Sequence, residues 1–243
     1  MSQQPEIREN IELEALNTLH VPAKARFYVE AHTADELVRS LDWASSEDQE
    51  VLILGGGSNL VFAGDFAGLV VRLAIRGRRW EHIEDHRATL VLGAGENWHE
   101  AVLYAARAGY RGIENLALIL GTAAAPVQNI GAYGVELGDC LESVTALDRN
   151  SGELVVLDNA QCRFSYRDSL FKQTPGRYVI TEIRLGLSRS RPLVLGYRDL
   201  REYLGDTAET ALDPLHVAEA VMAIRRRKLP DPDMIPNAGS FFK

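Results

Sequence analysis

The chain has 243 residues, 46% apolar and 25% charged, a globular composition that excludes wholesale disorder and suits one large domain or two modest ones. Its 26 basic and 34 acidic residues give a net charge of −8, which argues against nucleic acid gripped over a broad cationic face. No stretch approaches the ~18 apolar residues of a membrane span, the first ten residues lack a signal pattern, and Cys140 and Cys162 are too few for a disulfide scaffold. These features predict a soluble, cytoplasmic protein with reduced thiols packed as small apolar side chains.

Thr33 followed by Glu36 has capping-box spacing and predicts a helix that turns Leu37, Val38 and Leu41 inward. Val51–Leu54 reads as a buried strand running into the tight loop opened by three glycines, and the residues just after Leu60 also look like strand. Further strands are expected at 69–73 and 89–92. Asn97 with Glu100 repeats the capping spacing and starts a helix with Val102, Leu103 and Ala106 inward and Gly109 as its stop. Residues 142–147 and 153–157 flank a turn-rich segment and read as a hairpin with a longer loop. The alternation in 178–187 places Val179, Thr181, Ile183 and Leu185 on one face of a strand. Asp213 and Pro214 are an N-cap and first-turn pair for a helix reaching Arg227 and ended by Pro230 and Pro232. Mixed strands and helices predict an α+β layered protein with a soft boundary between residues 73 and 80. The final residues, Ala238 to Lys243, read as the start of an apolar strand, which suggests a chain that stops in mid-domain.

The strongest local chemical signal is Gly55-Gly56-Gly57-Ser58-Asn59. Glycines after a buried strand let the backbone turn with positive φ and aim several amides at one point, a nest for an anion such as a pyrophosphate. It is not a P-loop, and with Leu60 in place of a third spaced glycine it is a poor dinucleotide fingerprint; a plain glycine turn is the competing reading. A second stretch of small residues runs from Gly121 and Thr122 to Gly134, with Gln128, Asn129 and Tyr133 as polar contacts. It reads either as a backbone surface for a flat ligand or as an ordinary buried loop. Arg167, next to Asp168, is either half of a structural ion pair or a bidentate clamp on a carboxylate. Arg225-Arg226-Arg227-Lys228 closes a helix, where cations suit the macrodipole, or forms a diphosphate site. The six histidines show no ligand spacing, so no metal chemistry is expected.

Six ordered motifs carry a resemblance. They are Gly-Gly-Gly-Ser-Asn at 55–59, Gly-Ala-Gly-Glu-Asn-Trp at 93–98, Gln-Asn-Ile-Gly-Ala-Tyr-Gly at 128–134, Tyr-Arg-Asp-Ser at 166–169, Lys-Leu-Pro at 228–230 and Asn-Ala-Gly-Ser-Phe-Phe at 237–242. Together they resemble the UDP-N-acetylenolpyruvoylglucosamine reductase family, and Gly-Tyr-Arg-Asp-Leu at 196–200 is similar to its substrate-covering tyrosine loop. The resemblance implies an FAD-binding fold of the vanillyl-alcohol-oxidase type. Its flavin domain would have two lobes, residues 1–75 and 76–202, followed by an incomplete part of a substrate domain over 203–243. It implies FAD and NADPH as cofactors, a UDP-sugar as small-molecule substrate, no nucleic acid, no membrane and no metal, and a monomer making peptidoglycan precursors. Arg167 and Ser240 would be catalytic, Arg167 stabilising the charge developing on the substrate and Ser240 donating a proton. Gly55, Gly56, Gly57, Ser58, Asn59, Gly121, Thr122, Gln128 and Asn129 would bind the flavin, and Tyr133, Tyr197, Arg225 and Lys228 the substrate.

Three departures from the family accompany the resemblance. The family's further domain, with a glutamate that partners the enol intermediate, has no counterpart after Lys243. Leu120 stands in place of a usual proline, and the loop from Gly121 to Pro126 is one residue short and lacks its internal glycine. The expectation is therefore a reductase impaired in turnover. The alternatives are a non-catalytic flavin- or nucleotide-binding remnant, an oxidase on the same flavin fold, or a structural protein without flavin.

Overall fold

The computed structural model describes residues 5–232 and 234–239. The first sheet is built from β1 (Arg8–Glu12), β2 (Lys24–Ala31), β3 (Val51–Leu54) and β4 (Phe66–Leu73), with α1 (Ala34–Ser46) between β2 and β3. Its strand order is β1-β2-β4-β3; β2 and β3 run parallel to β4, while β1 is antiparallel to β2. Leu69, Val70 and Val71 are all fully buried, as a strand covered on both faces requires. Leu69, Val71 and Leu73 pack with Leu37 and Ala44 of α1, whereas Val70 faces a second cluster with Leu13, Tyr28 and Leu54. Thr33 caps α1 by accepting from the Glu36 amide, but the Glu36 carboxylate reaches the His32 amide, one residue outside the predicted reciprocal bond. Residues 61–65 are loop, not the strand expected after Leu60; the chain must first clear the glycine bend before re-entering the sheet at Phe66.

The change of sheet falls between Leu73 and Arg78. The second sheet comprises β5 (Arg78–Glu81), β6 (Arg87–Gly93), β9 (Leu141–Asp148), β10 (Glu153–Asp158) and β11 (Tyr178–Ser188). It is antiparallel throughout in the order β10-β9-β11-β6-β5. Between β6 and β9 lie α2 (Trp98–Arg107) and a small hairpin of β7 (Gly131–Ala132) and β8 (Val135–Glu136); α3 (Leu170–Gln173) precedes β11. The chain then forms α4 (Arg198–Leu204) and α5 (Pro214–Lys228), and α5 packs on α2 over a core containing Trp98, Val102, Ile183, Leu185, Val217 and Val221.

The face predicted for β11 needs correction. Pairing with β9 shifts register between Ile180 and Glu182, which inserts Thr181 as a bulge. A single extra residue inverts the alternation of side chains. Val179 therefore packs with Leu147 in the core beneath α1, whereas Ile180, Ile183 and Leu185 face α2 and α5. The freed Thr181 carbonyl accepts from the Ala94 amide at 2.9 Å, tying the bulge to the turn that leads into α2. One strand thus contributes to both cores. Among the described residues no helix is long and apolar enough to cross a membrane.

Candidate functional site

Strands β2, β3 and β4 all end at one cavity of about 630 Å³, lined at those ends by Glu30 and His32, by Gly55 and Gly56, and by Arg72 to Ala74. The carboxyl edge of parallel strands is where open α/β sheets bind ligands, because the loops there leave a crevice. The opposite wall is Leu118, Leu120, Gly121 and Thr122, with Arg225 and Arg226 of α5 and the segment 229–232. Arg72, Arg76, Arg225 and Arg226 outnumber the lining carboxylates Glu30 and Asp231, so the cavity favours an anion.

The glycine bend needs its glycines for packing as much as for turning. A Cβ on Gly57, at φ +64°, would stand 1.9 Å from the Leu16 carbonyl oxygen, and one on Gly56 would stand 2.8 Å from the Gly121 Cα. The two small-residue loops therefore meet backbone to backbone. Gly57 accepts from the Thr18 amide, and the Thr18 carbonyl accepts from the Asn237 amide at 2.9 Å, which joins both ends of the described chain to the bend. The amides of Gly56, Gly57, Ser58 and Asn59 find no acceptor among the described residues. The Thr18 and Thr122 hydroxyls are buried without a partner there as well. Unpaired donors, close backbone approach and a cationic wall fit an extended dinucleotide carrying a pyrophosphate.

The second loop is held by α2. Asn97 caps the helix by accepting from the Glu100 amide, and the first helical turn then clamps residues 116–123. Trp98 donates its ring N–H to the Leu116 carbonyl at 3.0 Å and its amide to the Gly121 carbonyl at 3.2 Å. The Leu118 amide donates to His99 Nδ1 at 3.1 Å, and the Ala123 amide to the Glu96 carbonyl at 2.8 Å.

Of the sequence-predicted flavin residues, Gly55, Gly56, Gly121 and Thr122 line the cavity. Gly57 and Ser58 are buried behind the bend, and Asn59 and Gln128 are exposed. Asn129 is 2% exposed and its side chain is committed elsewhere: it donates to Glu136 and the Ser165 carbonyl and accepts from the Gly138 amide. That network fixes the β7–β8 hairpin.

The four substrate-binding candidates come together. The Tyr133 and Tyr197 rings meet edge to face at 5.0 Å, Arg225 engages the Tyr133 side chain, and Lys228 pairs with Asp199. Burial pushes the Tyr133 phenol up, against the opposing pull of Arg225 and Lys228; burial lowers Arg225, and the bond to Asp199 raises Lys228. Arg225 Nε also donates to the Leu118 carbonyl at 3.1 Å, which places its guanidinium at the cavity wall. Arg167 is exposed with φ +56° and reaches the Gly131 carbonyl at 3.4 Å. Its neighbour Asp168 accepts from the Ser169 amide and from Gln173. Ser240 lies outside the described residues, as does most of the terminal segment expected to be strand; Gly239, its neighbour in sequence, lines the cavity.

Sequence reasoning missed Asn115, His99 and Asp199. Asn115, fully buried, donates to both the Tyr133 and Val194 carbonyls and so joins the two tyrosine-bearing segments. Nothing in its local sequence signals this, because both partners are remote.

Fold and cavity together define a flavin-binding protein of the FAD-binding α+β class: the model of the FAD binding domain family matches residues 25–158. A 6-hydroxy-D-nicotine oxidase structure from Arthrobacter nicotinovorans shares this fold at TM-score 0.56 and 19% identity, covering 77% of this chain and 43% of that one. UDP-N-acetylenolpyruvoylglucosamine reductase of Pseudomonas fluorescens is 43% identical over 239 residues, 98% of this chain and 70% of that protein. The enzyme of that name from Xanthomonas euvesicatoria is 46% identical over 242 residues, 98% of this chain and 68% of that one. A crystal structure of the Thermus caldophilus enzyme superposes at TM-score 0.69 and 27% identity, covering 98% and 75% of the two chains. The chain belongs to the UDP-N-acetylenolpyruvoylglucosamine reductase family.

Proposed function

We propose that this chain reduces the enolpyruvyl ether of UDP-N-acetylglucosamine to UDP-N-acetylmuramate, with FAD as resident cofactor and NADPH as reductant, in peptidoglycan precursor synthesis. The observation that carries this reading is one cationic cavity that Gly55 and Gly56 of the glycine bend, Gly121 and Thr122 of the facing loop and Arg225 line together, Arg225 also engaging Tyr133 of the adjoining Tyr133–Tyr197 pair. FAD bound there supplies the hydride chemistry that side chains lack. Residues 55–59 with Gly121 and Thr122 would hold it through backbone amides and hydroxyls, and Gln128 and Asn129 would shape the loop beside them. Arg225 and Lys228 hold the substrate diphosphate, and Tyr133 and Tyr197 pack on the sugar. Arg167 clamps the enolpyruvyl carboxylate and stabilises the charge that develops there, which a guanidinium fork suits by bidentate geometry. Ser240 delivers the proton to the adjacent carbon, a role open to so weak an acid only beside a strongly basic centre. The chain works as a monomer in the cytoplasm.

The test is purification with FAD followed by NADPH oxidation with the enolpyruvyl substrate. The expected result is a yellow protein with substrate-dependent oxidation, and an Arg167→Ala variant that keeps its flavin while turnover falls about 10²–10³-fold. Bound flavin without substrate-dependent oxidation would establish the non-catalytic remnant instead, and a colourless preparation would sink both.

A further inference from the structure

We propose that His99 is a positioning residue of the ligand cavity: its ring holds the backbone at Leu118, and Leu118 in turn holds the Arg225 guanidinium against the cavity. The inference rests on the reading of Arg225 as a ligand-binding residue and adds a group that reading does not contain.

Three observations carry it. Leu118 adopts φ +58°, a left-handed conformation that a side chain with a Cβ disfavours and that persists only where the surroundings over-determine it. Its amide donates to His99 Nδ1 at 3.1 Å, and its carbonyl accepts from Arg225 Nε at 3.1 Å. Leu118 and Arg225 both line the cavity, whereas His99 stands behind them on the first turn of α2. The peptide groups of Leu118 thus form a two-bond bridge from an imidazole to a guanidinium.

Only neutral imidazole can accept at Nδ1; the protonated ring is donor at both nitrogens. Protonation therefore removes the support of the Leu118 amide and releases the carbonyl that aims Arg225. The charged groups facing His99 are Glu100 and Arg107 on its own helix and Arg226 on α5; residues 117–120 carry none. Burial and the two arginines outweigh Glu100, lowering the histidine below its ordinary range, so the neutral acceptor form prevails at neutral pH. The folded state thus resists a proton that the unfolded chain binds more readily. The stability contributed by the neutral ring is therefore lost as pH falls through and below the usual histidine range.

Two opposite outcomes separate positioning from simple charge. If His99 contributed only charge, protonation would add a cation near the cavity and tighten anion binding. Positioning predicts weakening.

The experiment uses the full chain without flavin, with inorganic pyrophosphate as probe and nitrogen-15 resonances of His99, the Leu118 amide and Arg225 Nε as reporters. The expected result is that the Leu118 and Arg225 signals titrate with His99 and that pyrophosphate affinity falls about tenfold over the same pH span. His99→Leu should show the weak binding at every pH. His99→Gln, whose side-chain oxygen still accepts, should bind tightly with no acid limb. Adding Leu118→Gly to His99→Leu should recover most of the loss, because glycine adopts positive φ without support. Pyrophosphate binding that is absent, that tightens in acid, or that is equal in the native chain and His99→Leu overturns the proposal. Arg225 signals indifferent to His99 also overturn it. None of these readouts depends on reductase turnover, so failure of the functional reading would be seen separately.

Discussion

The two small-residue loops that meet at the cavity obtain their shape in different ways. Residues 55–59 turn sharply by themselves: Gly57 takes φ +64°, the bend follows directly from β3, and its amides stay free of acceptors among the described residues. Residues 116–136 contain positive-φ positions that are not glycine, Leu118, Asn129 and Tyr133, and each is held by remote partners. His99 supports Leu118, Glu136 and Gly138 hold the Asn129 side chain, and Asn115 grips the Tyr133 carbonyl. The glycine bend presents Gly55 and Gly56 to the cavity with little side chain between, whereas the clamped loop presents Gly121, Thr122 and Leu118 there only because remote partners hold it in place.

The contrast breaks first at Gly57. Gly57→Ala adds left-handed strain of about 1–2 kcal/mol and a Cβ driven into the Leu16 carbonyl, so a loss of about 3 kcal/mol in urea unfolding is expected. Gly56→Ala sharpens it, because its Cβ would press on Gly121 across the two loops. There the expected stability loss is about 1 kcal/mol, with a far larger fall in retained flavin. Equal flavin content in Gly56→Ala and the native chain would show that the facing loops do not hold the cofactor.

Asn115 is the corresponding point of failure for the clamped loop. Asn115→Ala strands the Tyr133 and Val194 carbonyls without their donor, at an expected cost of about 2–3 kcal/mol. It should also weaken UDP-sugar binding while leaving flavin content unchanged; a variant that loses flavin and sugar together would mean the two loops are not independently shaped.

The smallest effect concerns the strand end beneath the bend. Glu30 accepts from the Tyr28 hydroxyl at 2.8 Å and lies near Arg72, and its carboxyl is held below the usual range chiefly by the Tyr28 bond. The unfolded chain therefore binds that proton first as pH falls, and stability contributed by Glu30 is lost through the window just below pH 4.5. Tyr28 acts at the other end: burial pushes it up to about 12, so stability declines as pH rises from 10 towards that value. Glu30→Gln should flatten the acid dependence by less than about 1 kcal/mol, since the group is partly exposed. An unchanged acid limb in urea titrations of that variant would remove Glu30 from the account.

Much of this was legible in the residues. The caps at Thr33, Asn97, Ser169 and Asp213 all accept from the amide three residues on; the first two follow from capping spacing and the fourth from the Asp-Pro pair. The end of β3 at the glycine bend and the β9–β10 hairpin were equally readable, whereas the strand expected just after Leu60 proved to be loop up to Phe66. The Thr181 bulge was not, because alternation in one strand carries no record of the register in which its neighbour pairs. The grouping of Tyr133, Tyr197, Arg225 and Lys228 was reachable only through resemblance, and the part played by Asn115 and His99 was not reachable at all.

Local sequence alone decided where α1, α2 and α5 begin, where β3 stops and where the chain can turn, because each is settled by atoms a few residues apart. The tertiary fold alone decided which loops face one another, which buried amides and carbonyls find partners, and where the cationic wall stands. Those depend on free energies of packing between segments whose order along the chain says nothing of their distance in space.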